Sequence, residues 1–138
     1  MAKYLLDASA FYPLVLKLRE KLLDHLSLVA VLDLTVYEVG NAIWKESKRG
    51  RVRDPRALAA MFAEVLREAE VVGIENLAIE EVLQLALAED LTFYDAAYLY
   101  AARRLGLKLV SEDADLKKYS ETIGVDELVA ELEGPGRS

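Results

Sequence analysis

Cysteine is absent from the chain, and histidine occurs once, as His25. The first absence excludes disulfides, zinc–thiolate sites, iron–sulfur clusters and thiolate nucleophiles. The second removes most imidazole chemistry, because His25 sits among Leu22, Leu23, Leu26 and Leu28, where a packed helix end is the simpler reading. No apolar run approaches the roughly 18 residues of a membrane span, and the opening Met1-Ala2-Lys3-Tyr4-Leu5-Leu6-Asp7 lacks the architecture of a secretion signal. A cytoplasmic location is therefore expected. Asn and Gln are scarce while Glu, Leu and Arg are plentiful, a bias reported for heat-adapted proteins. Positive charge is in deficit as well, since a net charge of -7 argues against a general nucleic-acid binder.

What the chain does contain is 138 residues at 54% hydrophobic content, enough for one domain with a substantial core. That domain is expected over residues 1–133, with 134–138 (Gly-Pro-Gly-Arg-Ser) as a disordered tail. The charge is unevenly spread: residues 1–56 hold ten Lys/Arg against seven Asp/Glu, whereas residues 57–138 hold seven against seventeen. The basic excess lies in Lys45, Lys48, Arg49, Arg51, Arg53 and Arg56. Such a stretch suits a nucleic-acid phosphate backbone, with Arg49, Arg51 and Arg53 as the candidate contacts, and equally suits a solvated helix end.

Apolar periodicity gives the element order. Residues 3–7 predict a short buried strand around Tyr4-Leu5-Leu6. A helical pattern then runs from Ser9 to about Leu26 through Leu14, Leu18 and Leu22, with Pro13 in its first turn. Leu28–Leu34 suits a strand buried on both faces, and Thr35–Arg49 a helix with Val36, Val39, Ile43 and Trp44 as its apolar stripe, ended by Gly50. A helix at about Pro55–Ala69, a strand at Glu70–Ile74, and helices at Ala78–Ala88 and Thr92–Leu105, the second closed by Gly106, follow. Leu107–Ser111 predicts a strand and Ala114–Tyr119 a short helix, while Val125–Leu132 fits either. Strands alternating with helices imply a parallel sheet covered on both faces, so the fold class is α/β. In such sheets functional groups gather beyond the carboxyl ends of the strands.

Acidic residues occur at those places: Asp7, Glu38, Asp95 and the pair Asp113/Asp115. Singly, each has an ordinary explanation. Thr35-Val36-Tyr37-Glu38 and Thr92-Phe93-Tyr94-Asp95 match capping boxes, and Asp7 and Asp113 suit helix N-caps. Together they say more, because a parallel sheet would bring them to one edge with no Lys or Arg beside Asp7, Glu38 or Asp95. Clustered carboxylates repel, and a hard divalent cation relieves the repulsion. Mg²⁺ or Mn²⁺ accepts an all-oxygen site without histidine, activates a water and stabilises charge on a phosphodiester.

Leu5-Leu6-Asp7-Ala8-Ser9-Ala10, Glu38-Val39-Gly40-Asn41-Ala42, Tyr94-Asp95-Ala96-Ala97-Tyr98 and Val110-Ser111-Glu112-Asp113-Ala114-Asp115-Leu116 resemble the four ordered acidic motifs of PIN domains. The resemblance spans nearly the whole chain, and the order and spacing are similar to those of VapC-type toxins of VapBC toxin–antitoxin pairs. It implies a three-layer α/β/α PIN-like fold with a central parallel sheet. It also implies an Mg²⁺- or Mn²⁺-dependent endoribonuclease acting on RNA, a homodimer, and a small cognate VapB-type antitoxin. By the same resemblance Asp7, Glu38, Asp95 and Asp113 form the catalytic and metal-binding site, Asp115 assists, and Ser9, Asn41 and Ser111 support it. Ser111 stands where a threonine is often found.

Rival readings are weighed on the same residues. A haloacid-dehalogenase phosphatase needs a second Asp where Ser9 stands, and a receiver domain needs adjacent acids after its first strand and a lysine after a late one. A catalytically silent nucleic-acid or protein binding module keeps the fold without the chemistry. A purely structural domain would use every acid as a cap.

Overall fold

The computed structural model describes residues 1–134; beyond Gly134, the expected disordered tail lies outside the described residues. Each strand is short, and Tyr4–Leu6 and Val29–Leu32, which are continuously apolar, are buried throughout between two helical layers. Strand β1 is Tyr4–Leu6, β2 is Val29–Leu32, β3 is Glu70–Val72, β4 is Lys108–Val110 and β5 is Thr122–Ile123. They form one parallel sheet in the order β3-β2-β1-β4-β5. The register sets Leu6 against Val31 on one side and Val110 on the other, so the chain leaves β1, β2 and β4 at a common edge.

Side chains alternate between two cores, as strand geometry requires. Tyr4, Leu6, Val29, Val31 and Val110 face one layer, made by α1 (Ala8–Leu18), α2 (Asp33–Lys48), α3 (Pro55–Glu68) and α7 (Val125–Glu133). Leu5, Ala30, Leu32, Val72 and Leu109 face the other, made by α4 (Ile79–Glu89), α5 (Phe93–Leu105) and α6 (Ala114–Lys117). This is the three-layer α/β/α arrangement. Among the described residues no helix is long and apolar enough to cross a membrane.

The local differences from expectation have physical causes. The helix read from Ser9 to Leu26 stops at Leu18, where Arg19 turns to φ 50, and continues as 3-10 winding over Arg19–Leu28. An uninterrupted 18-residue helix would extend about 27 Å. The three-residue β1 is much shorter, and the chain must fold back to start β2 alongside it. Pro13 lies in the second turn of α1 rather than the first, forfeiting one helical hydrogen bond. Helix α2 begins at Asp33, two residues early, so Thr35 does not cap it; the Thr35 hydroxyl accepts from Leu32 N at 3.3 Å. Along α2, Val39 and Ile43 are buried, while Val36 and Trp44 of the expected stripe remain exposed. The two-residue β5 was too short to leave a pattern, and Val125–Glu133 is a helix that buries Val125 and Leu128.

Candidate active site

Asp7 follows β1 directly and caps α1, its carboxylate accepting from Ala10 N at 3.1 Å. That is the ordinary capping role, but two further donors converge on it. Ser9 Oγ donates to Oδ1 at 2.6 Å, and Ser111 Oγ, just past β4, donates to Oδ2 at 2.5 Å. Each hydroxyl also accepts from the backbone of the β4 loop, Ser9 from Glu112 N and Ser111 from Asp113 N. The two serines therefore stitch the ends of β1 and β4 together around one buried carboxylate. Burial nevertheless raises the Asp7 pKa, against the lowering effect of these donors, and the nearby Asp113 pushes the same way.

Glu38 lies in the second turn of α2. Tyr98 OH, from α5, donates to Glu38 Oε1 at 2.6 Å. The Thr35 and Tyr98 oxygens are 2.7 Å apart, and because the single Tyr98 proton serves Glu38, Thr35 must donate to Tyr98. A relay from Thr35 through Tyr98 thus fixes Glu38. Burial raises the Glu38 pKa, the Tyr98 donor opposes the rise, and Asp7 adds to it. Thr35 and Tyr98 were not among the expected site residues. Their only signal is spacing, since each lies three residues from an acid, Glu38 or Asp95, and so shares its helix face.

Asp95 sits in the first turn of α5, where Thr92 caps the helix by accepting from Asp95 N at 3.0 Å. Asp113 caps α6 by accepting from Asp115 N at 2.8 Å. Oxygens of Asp95, Asp113 and Asp115 lie within 4.8 Å of one another. The Asp95 pKa is pushed up to about 6, first by burial and then by the charges of Asp113, Asp7, Asp115 and Glu38. The other four expected acids thus all bear on Asp95, and Asp115 belongs with Asp95 and Asp113 to the tightest group. Glu112, between Ser111 and Asp113, turns away to bind Lys117 and Val125 N, which lowers its pKa.

None of the ion pairs among the described residues includes Asp7, Glu38, Asp95, Asp113 or Asp115. Oxygen ligands around an octahedral Mg²⁺, at about 2.0–2.1 Å from it, stand roughly 2.9–4.2 Å apart. A 4.8 Å group reaches that spacing by small side-chain rotations, so the donor set fits a hard divalent cation. Of the remaining expected residues, Asn41 is exposed one turn beyond Glu38. Arg49 ends α2, about 16 Å of helical rise from Glu38. Both Arg49 and Arg51 pair with Glu46, at 3.7 and 3.4 Å, and Arg51 and Arg53 line a separate cavity with Tyr12 and Asp54. The structure does not bring these arginines into the acidic cluster.

The sequence matches the PIN domain family over residues 4–122. It is 42% identical to exonuclease VapC9 of Pyrobaculum aerophilum, over 94% of this chain and 96% of that protein. It is 31% identical to ribonuclease VapC3 of the same organism, over 83% and 92%. Among solved structures, that of PAE2754 from Pyrobaculum aerophilum superposes with a TM-score of 0.85 at 41% identity, covering 95% of this chain and 89% of that one. DNA-bound VapBC from Salmonella typhimurium shares the fold at a TM-score of 0.64 and 15% identity, covering 91% and 99%.

Proposed function

Because the chain belongs to the PIN-domain family and its relatives are VapC proteins, we propose that it is an Mg²⁺- or Mn²⁺-dependent endoribonuclease. It is the toxin half of a type II toxin–antitoxin module, held in check by a cognate VapB-type antitoxin. The observation that carries the reading is the acidic group itself: Asp95, Asp113 and Asp115 within 4.8 Å, with Asp7 and Glu38 electrostatically coupled to them and no paired cation. A structural set of helix caps has no reason to converge in this way.

Asp95, Asp113 and Asp115 would hold the ion, with Asp7 and Glu38 completing the acidic surround. When bound, such an ion polarises a phosphoryl oxygen and makes water a stronger nucleophile at neutral pH. Ser9 and Ser111 keep Asp7 rigid, and the Tyr98 relay keeps Glu38 rigid, so neither carboxylate must reorganise as the phosphate arrives. Asn41 and the exposed Tyr37 of α2 border the substrate path, and Arg49, Arg51 and Arg53 serve the RNA backbone farther along. A homodimer is part of the same reading, supported by exposed Ile79, Leu83 and Leu87 at four-residue spacing on α4. A basic side chain of the antitoxin, arginine above all, suits the acidic crevice because its planar fork can grip a carboxylate with two hydrogen bonds.

The test is hydrolysis of linear and circular single-stranded RNA with Mg²⁺, with Mn²⁺ and with chelator. Activity is expected only with metal, and Asp95→Asn and Asp113→Asn should each reduce it by about 100-fold or more, since even outer-shell partners cost 10–100-fold. Full-rate cleavage by Asp95→Asn would refute the site. The name of the 42% identical relative favours a second mode, attack from strand ends, and the circular substrate separates the two: only an endonuclease opens it.

A further inference from the structure

Beside the carboxylates lies an apolar hollow of about 240 Å³ that the site chemistry leaves unused. Leu32 ends β2 at its base, Leu34 and Tyr37 come from the first turns of α2, Leu77 precedes α4, and Phe93 and Tyr94 open α5. Tyr37 directly precedes Glu38 and Tyr94 directly precedes Asp95, so each ring springs from a Cα about 3.8 Å from that of a site acid. The rings are left in water: Tyr37 is 77%, Tyr94 58% and Phe93 39% exposed. None of the three belongs to either core, and both faces of the sheet are packed without them.

The chemistry of the hollow narrows its occupant. No Lys or Arg lines it, so it is not a phosphate site. Its one charged lining residue, Asp33, has a carboxylate oxygen accepting from the adjacent Leu34 N at 2.8 Å. At 240 Å³ it falls below the roughly 300–1,000 Å³ of drug-sized pockets and suits a single planar ring system. Aromatic rings bordering a phosphodiester site are the usual platform for bases of an unpaired strand.

We infer that this hollow is a base subsite. An unstacked nucleobase of single-stranded RNA, on a nucleotide flanking the scissile phosphate, stacks there on Tyr37, Phe93 and Tyr94. The inference rests on the nuclease reading above. An apolar wall reads no base edge, so the subsite requires a base without selecting its identity, purines gaining modestly from their larger face.

The test uses RNA oligonucleotides that differ by one abasic nucleotide, placed in turn on either side of the cleaved bond, with the parent protein, Tyr37→Leu and Tyr94→Leu. Loss of the base at one of those positions should lower parental kcat/KM by roughly 5- to 150-fold, the range of one base–aromatic stack. The Tyr94→Leu variant should lose a similar factor on the intact strand and little more on the abasic one. Equal parental rates on intact and abasic strands overturn the subsite, as does a variant that loses the same factor on both. Independently of turnover, 2-aminopurine at that position should be quenched by the parent protein in chelator and less by either variant. A parent that cleaves no RNA with Mg²⁺ or Mn²⁺ refutes the nuclease reading, and the quenching then decides the subsite by itself. Variants that change only the sedimenting mass assign the hollow to a second copy of the chain and overturn the proposal.

Discussion

Asp95 is an acid whose proton depends on four neighbours. Its pKa of about 6 stands above the roughly 3.9 of an unfolded aspartate, because burial and the charges of Asp113, Asp7, Asp115 and Glu38 disfavour its ionised form. A carboxylate raised on folding binds protons more tightly in the native state. Its stabilising contribution is complete below about pH 4 and is lost as pH rises through about 6. Asp7 and Glu38, also raised, act in the same direction. Glu112, Glu121 and Glu131 are lowered and act oppositely, but only below about pH 4.5, where unfolded glutamates take up protons. In chelator the melting temperature should therefore fall between about pH 4.5 and 7, and Asp95→Asn should flatten the fall. Restoring Mg²⁺ at pH 7 should raise the melting temperature of the parent more than that of the variant. Parallel parent and variant curves would mean that the acids do not interact in solution.

Helix α2 presents the clearest element-level test. Gly40 lies in its middle, exposed, and a Cβ built there meets nothing within 4 Å. A glycine in a helix interior costs about 0.5–1 kcal/mol relative to alanine. Gly40→Ala should stabilise the isolated protein by that amount, a rise of about 2–5 °C in Tm, measurable by thermal and urea unfolding. A Tm that drops would show that the added methyl group meets a neighbour or that the backbone departs from a regular helix. The same helix marks how far the sequence was legible. Gly50 marks its end, but only Val39 and Ile43 of its apolar spacing report the buried face, while Asp7, Asp95 and Asp113 are legible as acids because carboxylates at helix starts leave a local signature. The start at Asp33 is not legible, because Thr35 has the spacing of an N-cap, whereas inside the helix its hydroxyl accepts from Leu32 N and reaches Tyr98, 63 residues away. Likewise no local pattern could show that Ser9 and Ser111 hold one carboxylate or that Glu112 turns toward α7. Those choices are made by tertiary contacts across the sheet edge.

At the scale of the whole molecule, Ile79, Leu83 and Leu87 form an apolar stripe on α4, the largest exposure being 76% at Leu87. In a two-fold dimer one such stripe is supplied by each copy, so a single substitution acts twice. If the proposed homodimer forms through this stripe, the parent should sediment as a dimer and Leu83→Glu as a monomer with its helical circular dichroism intact; a dimeric variant would place the contact elsewhere, and a monomeric parent would refute the dimer. The sheet order has a different consequence, which concerns time. Strand β1 occupies the middle position and is completed by β4, and Asp7 waits for Ser111, 104 residues later in synthesis. Translation therefore delivers the first acid early and the strand that seats it late. The acidic cluster of a growing chain is incomplete until the β4 segment emerges and inserts, and a ribosome that stalls before it releases a fragment that lacks Asp113, Asp115 and the serine that holds Asp7.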